Sequence, residues 1–400
     1  MKRMTYAKFI IPVLLIFLAC DQLSAIPAFA RKYGISCMTC HTPAAPKLKD
    51  YGDTFAGDGF KLSDYQSPRY YQDAGDEKLS LIRDFPIAAR IDGYVQAGIS
   101  ENGQVDMSAP FLLKLMSGGE LSEHLAYYFY FYMYEHGEVA GVEDAFLMYD
   151  NLFNTELDIY VGQFQVSDPL FKRELRLTFE DYHVYTSQIG LSDFNMKYDK
   201  GIMLTYSLPT STDIILEVVN GNGLAKLNSG NFFDKDPYKN YLARVAQGVG
   251  DFLSVGIVGY FGKEDISNEL RTITNKAYFL GADATIAFSD KLEINMQYLM
   301  REDDQVFESL ADLEPMNDVR TRGIMGELVF SPKGDQSNWY AVGLYNYVDS
   351  DYEPADYHSA TLHLGYLLRR NVRLGLEYTE IFTDPENLYG RLSLGFVAAF

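Results

Sequence analysis

This chain of 400 residues is short of cysteine, of basic residues and of long apolar runs. Beyond its first 25 residues no stretch of ~18 apolar residues occurs, so no helix is apolar enough to cross a bilayer and any membrane span has to be β. Lysine and arginine number 34 against 55 aspartates and glutamates, a formal net charge of -21. That balance disfavours nucleic acid as a partner and leaves an acidic surface suited to cations or to simple solvation. Only three cysteines are present, and Cys20 falls in the leading segment. Cys37 and Cys40 remain, open to a tight disulfide, to a metal site completed from elsewhere, or to thioether bonds with haem. Between Thr42 and Phe85 there is neither Met nor His, which denies that stretch an iron ligand of its own.

What the chain does contain begins with an export signal. Lys2, Arg3 and Lys8 precede an apolar core from Phe9 to Ala19, and the small residues Ser24 and Ala25 place cleavage after Ala25. A lipoprotein-type cleavage at Cys20 is the competing reading. Residues 1–25 are therefore expected to be a signal peptide. The next feature is Cys37-Met38-Thr39-Cys40-His41. Two thiols three positions apart on one helical turn reach the two vinyl groups of a single haem, and the adjacent His41 is directed at the iron as proximal ligand. Export strengthens this reading, because the attachment occurs outside the cytoplasm. The motif thus predicts one covalently bound haem c on residues 26–85, with Cys37 and Cys40 as attachments. A redox disulfide or a zinc half-site, which needs ligands from elsewhere, is the alternative.

From Pro86 onward the residues alternate with period two between turn signals, as in Leu125-Ala126-Tyr127-Tyr128-Phe129-Tyr130-Phe131-Tyr132-Met133. The 31 Tyr and 26 Phe fit the aromatic girdles of an outer-membrane barrel. Sixteen segments can be counted from 86–99 to 388–400, among them 109–117, 251–262, 275–288, 291–301 and 320–331. Connections after even segments are short, such as Pro209-Thr210-Ser211 and Arg369-Arg370-Asn371. Those after odd segments are mostly longer, the pattern of periplasmic turns and external loops with both termini in the periplasm. Leu392, Leu394, Phe396, Ala398 and Phe400 share one face of the last segment, as a lipid-facing strand ending in an aromatic requires. The fold class expected is all-β: a transmembrane outer-membrane β-barrel of about 16 antiparallel strands over 86–400, with a small N-terminal α-helical c-type haem plug. A soluble β-sandwich or solenoid is the alternative.

The longest connection, Gln165 to Tyr198, carries Lys172, Arg173, Glu174, Arg176 and His183. Folded inward, it narrows the lumen and its basic residues face haem propionates; folded outward, it is an external loop whose charges meet water. A sixth iron ligand has to come from the barrel. The candidates are His183 in that loop and His363, which alternation with Leu362, Leu364, Tyr366 and Leu368 turns inward with Thr361. His124 lies nearer the periplasmic rim, and Met116 is a lumen thioether.

Ile26-Pro27-Ala28-Phe29-Ala30-Arg31, Gly34, Cys37-Met38-Thr39-Cys40-His41, Pro46-Lys47-Leu48, Tyr51-Gly52, Phe55 and Gly59-Phe60 resemble the monohaem outer-membrane cytochrome-porin fusions of iron-oxidising bacteria. Gly162-Gln163-Phe164 through Arg173-Glu174-Leu175-Arg176-Leu177-Thr178 is similar to the same group. The resemblance implies an outer-membrane electron conduit, best known as an iron(II) oxidase, with membrane lipid, extracellular Fe(II) or another reductant, and a periplasmic cytochrome or similar carrier as partners. Glu302-Asp303-Asp304, the stretch Glu308 to Glu314 and Asp349-Ser350-Asp351-Tyr352-Glu353 read as external acidic stretches that concentrate cations such as Fe²⁺, or as solvated loops. Two other functions compete. One is a diffusion porin whose haem segment is a structural or regulatory plug; the other is a haem peroxidase, for which the small segment offers no distal His motif.

Overall fold

In this computed structural model the described residues are 28–62, 75, 76, 78, 79, 82, 85–99, 103–135, 137–382 and 389–400. The expected signal peptide lies outside them. Three short helices come first: α1 (Ala28–Tyr33), α2 (Cys37–Cys40) and α3 (Asp50–Gly57). Sixteen strands follow: β1 (Ile87–Ile99), β2 (Val105–Glu120), β3 (Leu125–Glu135), β4 (Gly141–Tyr149), β5 (Leu157–Gln165), β6 (Tyr198–Leu208), β7 (Thr212–Val219), β8 (Asn240–Val249), β9 (Leu253–Ser267), β10 (Thr272–Ser289), β11 (Leu292–Val306), β12 (Met316–Phe330), β13 (Trp339–Ser350), β14 (Tyr357–Arg369), β15 (Val372–Ile381) and β16 (Tyr389–Ala399).

Each strand pairs antiparallel with its neighbours in sequence, and β1 pairs with β16 from Arg90↔Ala399 to Ile99↔Gly390, which closes the barrel. Closure satisfies the backbone groups that lipid cannot. Alternation then decides what each face meets. On β14 Leu362, Leu364 and Tyr366 are exposed outward while Thr361 and His363 are buried inward, the orientation expected from their spacing. Val95, Leu147, Ile257, Leu280 and Leu394 belong to the same outer apolar belt, and Asp92, Lys114, Asp144, Glu217, Arg301 and Glu377 to the buried inner face.

Several strands run further outward than their apolar alternation indicated. The segment expected at 109–117 starts at Val105, and β9 to β12 reach Ser267, Thr272, Val306 and Met316. Glu302-Asp303-Asp304, expected in a loop, is therefore strand. Charges do not end these strands because the inward member is paired: Arg301 Nε donates to Asp303 Oδ2 at 2.5 Å and Asn275 Nδ2 donates to Oδ1 at 2.9 Å.

The connection from β5 to β6, Val166 to Lys197, takes the inward course. Its Tyr182, Val184, Tyr185, Phe194 and Met196 form one buried cluster with Met203, Leu242, Val258, Tyr260, Phe279, Leu299, Met325 and Leu344 of β6 and β8–β13. Apolar residues on the lumen side of those strands are what let the loop adhere there rather than extend into water. Near its end Gly190, at φ +48°, presses so close that a Cβ would lie 2.2 Å from the Phe307 carbonyl oxygen. The apolar part of the loop fills the β6–β13 side of the lumen, while Phe179 packs on Tyr94 and Phe111 and Glu180 pairs with Arg391 on the opposite side.

Candidate functional site

The plug is built from residues 28–62 and seated in the barrel mouth at the end where the even-numbered turns lie. Ser36 caps α2, its Oγ accepting from Met38 N at 3.3 Å, and His41 N donates to the Cys37 carbonyl at 2.8 Å. Cys37 and Cys40 thus share one turn, with His41 next to it. The chain then doubles back: Thr42 N donates to Lys47 O at 3.1 Å and Lys49 N to Cys40 O at 2.9 Å. This hairpin brings the Pro46 carbonyl to 2.9 Å from His41 Nδ1. A carbonyl only accepts, so Nδ1 carries the proton and Nε2 is left as the lone-pair nitrogen, the arrangement of a histidine preset to bind a metal. Burial lowers the His41 pKa, opposed by hydrogen bonds to the Pro46 and Lys47 backbone and by the Asp53 charge. Burial pushes both thiols up.

Cys40 is buried with Phe55 and Phe60, and Phe29, Tyr33, Ile35, Tyr51 and Leu62 pack around them. Phe29 stacks on Phe60 with centroids 5.0 Å apart, and Tyr33 Oη donates to the Phe60 carbonyl at 2.6 Å. Gly52 lets α3 approach the motif, since a Cβ there would meet Cys40 O at 2.3 Å. A small aromatic nest thus surrounds the inner cysteine. Among the described residues no three His, Cys, Asp or Glu side chains are placed to hold a metal ion, so the zinc reading finds no ligand set.

The plug is tied to the barrel around its circumference. Lys61 Nζ lies 2.7 Å from Asp150 Oδ2, both nearly fully buried, and donates also to Glu123 O. Lys47 pairs with Glu293, Lys49 with Asp335 at 2.5 Å, Arg373 donates to Ala45 O and Arg31 to Ile87 O. Ala44 is buried against Leu177, Val329, Tyr340 and Val342, and Phe60 stacks on Tyr128 of β3 at 5.4 Å.

Above the plug a cavity of about 170 Å³ remains between the inward loop and β1–β3. Arg90, Lys114, Tyr132, Glu174, Arg176 and Asp181 are among its lining. Lys114 Nζ is 3.2 Å from Glu174, which also accepts from Tyr130, from Tyr132 at 3.3 Å and from Tyr198 at 2.8 Å. Burial acts to raise Glu174, and Lys114, Arg176 and the Tyr198 hydrogen bond more than offset it, holding the carboxyl at about 2. Sequence reasoning missed this cavity, although Lys114 as a lone charge inside the apolar run Phe111-Leu112-Leu113-Lys114-Leu115-Met116 signalled an inward position.

The candidates for a sixth ligand are scattered. The His183 ring stacks on Tyr357, at the outer start of β14, with centroids 3.6 Å apart, and its Nε2 lies 3.2 Å from Glu180. His363 Nδ1 is 3.0 Å from Glu377, its Nε2 is buried without a partner, and its ring stacks near Tyr340. His124 sits at the rim, 3.8 Å from Asp150. Met116 packs beside Tyr128, Tyr130 and Tyr132. Of the basic loop residues, Arg173 and Arg176 pair with Asp181, and Arg176 also faces the cavity.

A closed sixteen-stranded barrel with an inward β5–β6 loop and an apolar exterior decides the fold. It is that of an outer-membrane porin. Solved structures agree: the outer membrane channel DcaP of Acinetobacter baumannii matches with a TM-score of 0.56 at 14% identity, covering 79% of this chain and 97% of that one. An anion-selective porin from Comamonas acidovorans matches at 0.55 and 12%, covering 79% and 99%, and Salmonella typhi OmpF in complex with daunomycin at 0.54 and 10%, covering 79% and 97%. No protein-family model and no curated protein matches the sequence. The chain is thus an outer-membrane barrel by fold, and its likeness to these channels extends to the fold alone.

Proposed function

We propose that this porin-like barrel is an outer-membrane c-type cytochrome, moving electrons between an extracellular reductant, Fe(II) foremost, and a periplasmic carrier. The observation that carries the reading is His41, oriented through Nδ1 by Pro46 O, directly after a turn that presents Cys37 and Cys40 together. Cys37 Sγ and Cys40 Sγ would hold the haem through thioethers and His41 Nε2 would bind its iron. When bound, haem c supplies reversible one-electron chemistry. The chain's own residues do the rest. Pro46 O orients the imidazole, the nest of Phe29, Phe55 and Phe60 excludes water around Cys40, and the ring of contacts to Glu293, Asp335, Asp150 and Ile87 fixes the plug across the mouth. A plug tied to so many turns favours passage of electrons over passage of solutes.

A diffusion porin with a structural or regulatory plug is the second reading, favoured by the fold likeness and by the charged cavity above the plug. A spectral redox titration of the purified protein separates the two. Haem absorbance that shifts on mixing with Fe²⁺ and returns on adding an oxidised periplasmic cytochrome is expected. Absorbance that responds to neither, with open-channel conductance in planar bilayers, establishes the porin instead.

A further inference from the structure

Resting on that reading, we propose that a basic arc on the rim beside the plug, Arg31, Lys32, Arg369 and Arg370, is the docking surface for the periplasmic carrier, and that this carrier is a soluble protein presenting an acidic face. The starting point is an uneven spread of charge. The chain carries 55 acidic residues against 34 basic ones, yet from Ala28 to Lys49 and from Leu364 to Leu376 it has no acidic side chain. Lysines and arginines in those two runs serve two ends. Lys47 and Lys49 are taken up by Glu293 and Asp335, and Arg373 turns to Ala45 O and to the Tyr340 hydroxyl at 3.1 Å. The other four gather at the mouth.

Their placement follows from the strand ends. Arg31 donates to Ile87 O at the start of β1. Lys32 Nζ and Pro86 each lie 3.6 Å from the position a Gly119 Cβ would take, which sets Lys32 over the ends of β1 and β2. On the other side of β1, Ala89 and Phe400 exchange hydrogen bonds at 2.7 and 2.8 Å, and Ala399 N donates to Asn371 O at 2.9 Å. The Arg369-Arg370-Asn371 turn is thus two strands from β1. The four cations follow an arc from β2 to β14, four strand spacings of ~4.8 Å or about 19 Å across. The motif lies within it. Burial raises the Cys37 pKa and the Arg370 charge acts against that rise, and Arg370 Nη1 is buried, so this arginine is turned across the mouth rather than out to lipid. Arg31, Gly34, Ser36 and Arg369 are exposed, and Lys32, Cys37 and Arg370 are half-buried. An arc this wide suits the ~800 Å² face of a protein partner better than a small anion. Rim charges of one sign act mainly on the rate of encounter and its salt dependence, and the carrier has to approach the plug from this end.

The test uses the full-length protein in phosphatidylcholine nanodiscs and measures its association rate with a strongly acidic soluble cytochrome c, with a strongly basic one for comparison. The variants are the triple Arg31→Gln, Arg369→Gln, Arg370→Gln, the same three positions changed to Lys, and Arg320→Gln at the far end of β12. Each is checked for haem by denaturing-gel stain and for barrel assembly by the mobility shift on boiling. The acidic probe is expected to associate faster than the basic one. The triple Gln variant should slow it about tenfold at ~0.01 M ionic strength, with the difference closing as salt screens the arc. The triple Lys variant and Arg320→Gln should keep the wild-type rate, as should wild type in nanodiscs containing phosphatidylglycerol. An acidic probe no faster than the basic one, or a triple Gln variant with the wild-type rate, overturns the surface. Loss of acidic-probe association in phosphatidylglycerol does so too, and assigns the arc to lipid headgroups. Absence of haem stain from wild type overturns the haem reading, and with it the partner's identity as an electron carrier, whereas loss of charge dependence in stained protein overturns the surface alone.

Discussion

Plug and barrel are stabilised by different physics. The barrel's sixteen strands satisfy one another's backbone groups around a closed ring, so no single side chain is indispensable to closure. The plug has helices of six, four and eight residues, well below the ~12–15 residues at which an isolated helix becomes even marginal in water. It persists through one aromatic nest and a handful of polar ties to the barrel rim. The difference teaches that lesions in the plug should be local, leaving the barrel assembled, and that the plug's order is borrowed from the wall around it.

The sharpest way to break that comparison is at the motif. Replacing Cys37 and Cys40 together by Ala is expected to abolish haem staining on a denaturing gel completely, while the boiling-dependent mobility shift of the barrel is retained. Loss of the shift along with the stain would show that barrel assembly depends on the plug, and stain persisting in the double variant would end the haem reading.

A smaller effect is expected at the buried tie. Lys61 and Asp150 have side-chain exposures of 7% and 2%, and removing one partner of such a pair leaves a buried charge uncompensated, which costs about 3–5 kcal/mol. Lys61→Met should therefore lower, by that amount, the free energy at which the plug becomes protease-sensitive in urea. Pulse proteolysis reads this, with cleavage within 28–62 and an intact 87–399 core as the expected pattern.

The barrel was legible in the sequence because its rule repeats: every strand shows the same period-two alternation, so all sixteen segments were found and His363 and Thr361 were turned inward correctly. Its outer edges were not legible, since polar alternation such as Lys263-Glu264-Asp265 gives no apolar face to count, and only the pairing of Asp303 with Arg301 and Asn275 shows why the strand continues. The Cys37-Met38-Thr39-Cys40-His41 turn was legible as a motif, because its spacing is local. What surrounds it was not. The hairpin that brings Pro46 O to His41, the Lys61–Asp150 tie and the Glu174 knot on Lys114 join residues 5, 89 and 60 positions apart, and the two longer contacts exist only once the barrel sets their register.

Beside its apolar cluster the inward loop has charged ties to the wall, and these are expected to weaken in acid. Lys114, Arg176 and the Tyr198 hydrogen bond outweigh burial at Glu174, and hydrogen bonds from His183 and Tyr357 outweigh it at Glu180, so both carboxyls are held at about 2 against an ordinary 4.5. Depressed carboxylate values mean that the stabilisation is fully present above pH 4.5 and is lost as pH falls through about 2. Pepsin cleavage at the loop residues Leu177, Phe179 and Tyr182 is expected to begin only below about pH 4 and to rise towards pH 2. Cleavage already at pH 5, or none at pH 2, would contradict a charged contribution to the seating of the loop.

The smallest effect belongs to a tie that is less buried than Lys61–Asp150. Lys47 and Glu293 keep 17% and 24% of their side-chain surface in contact with solvent, which moves the pair towards the exposed limit of about 0.2–1 kcal/mol. Lys47→Met should thus shift the plug's urea midpoint by a fraction of the Lys61→Met shift. Salt makes the contrast stronger than the magnitudes alone. At ~1 M ionic strength the screening length is about 3 Å, which should remove most of the Lys47 effect, while the Lys61–Asp150 pair, shielded from ions by its burial, should keep its own. Equal salt sensitivity of the two variants in pulse proteolysis would mean that both ties are wet, and that the plug rests on the rim instead of being wedged into the mouth.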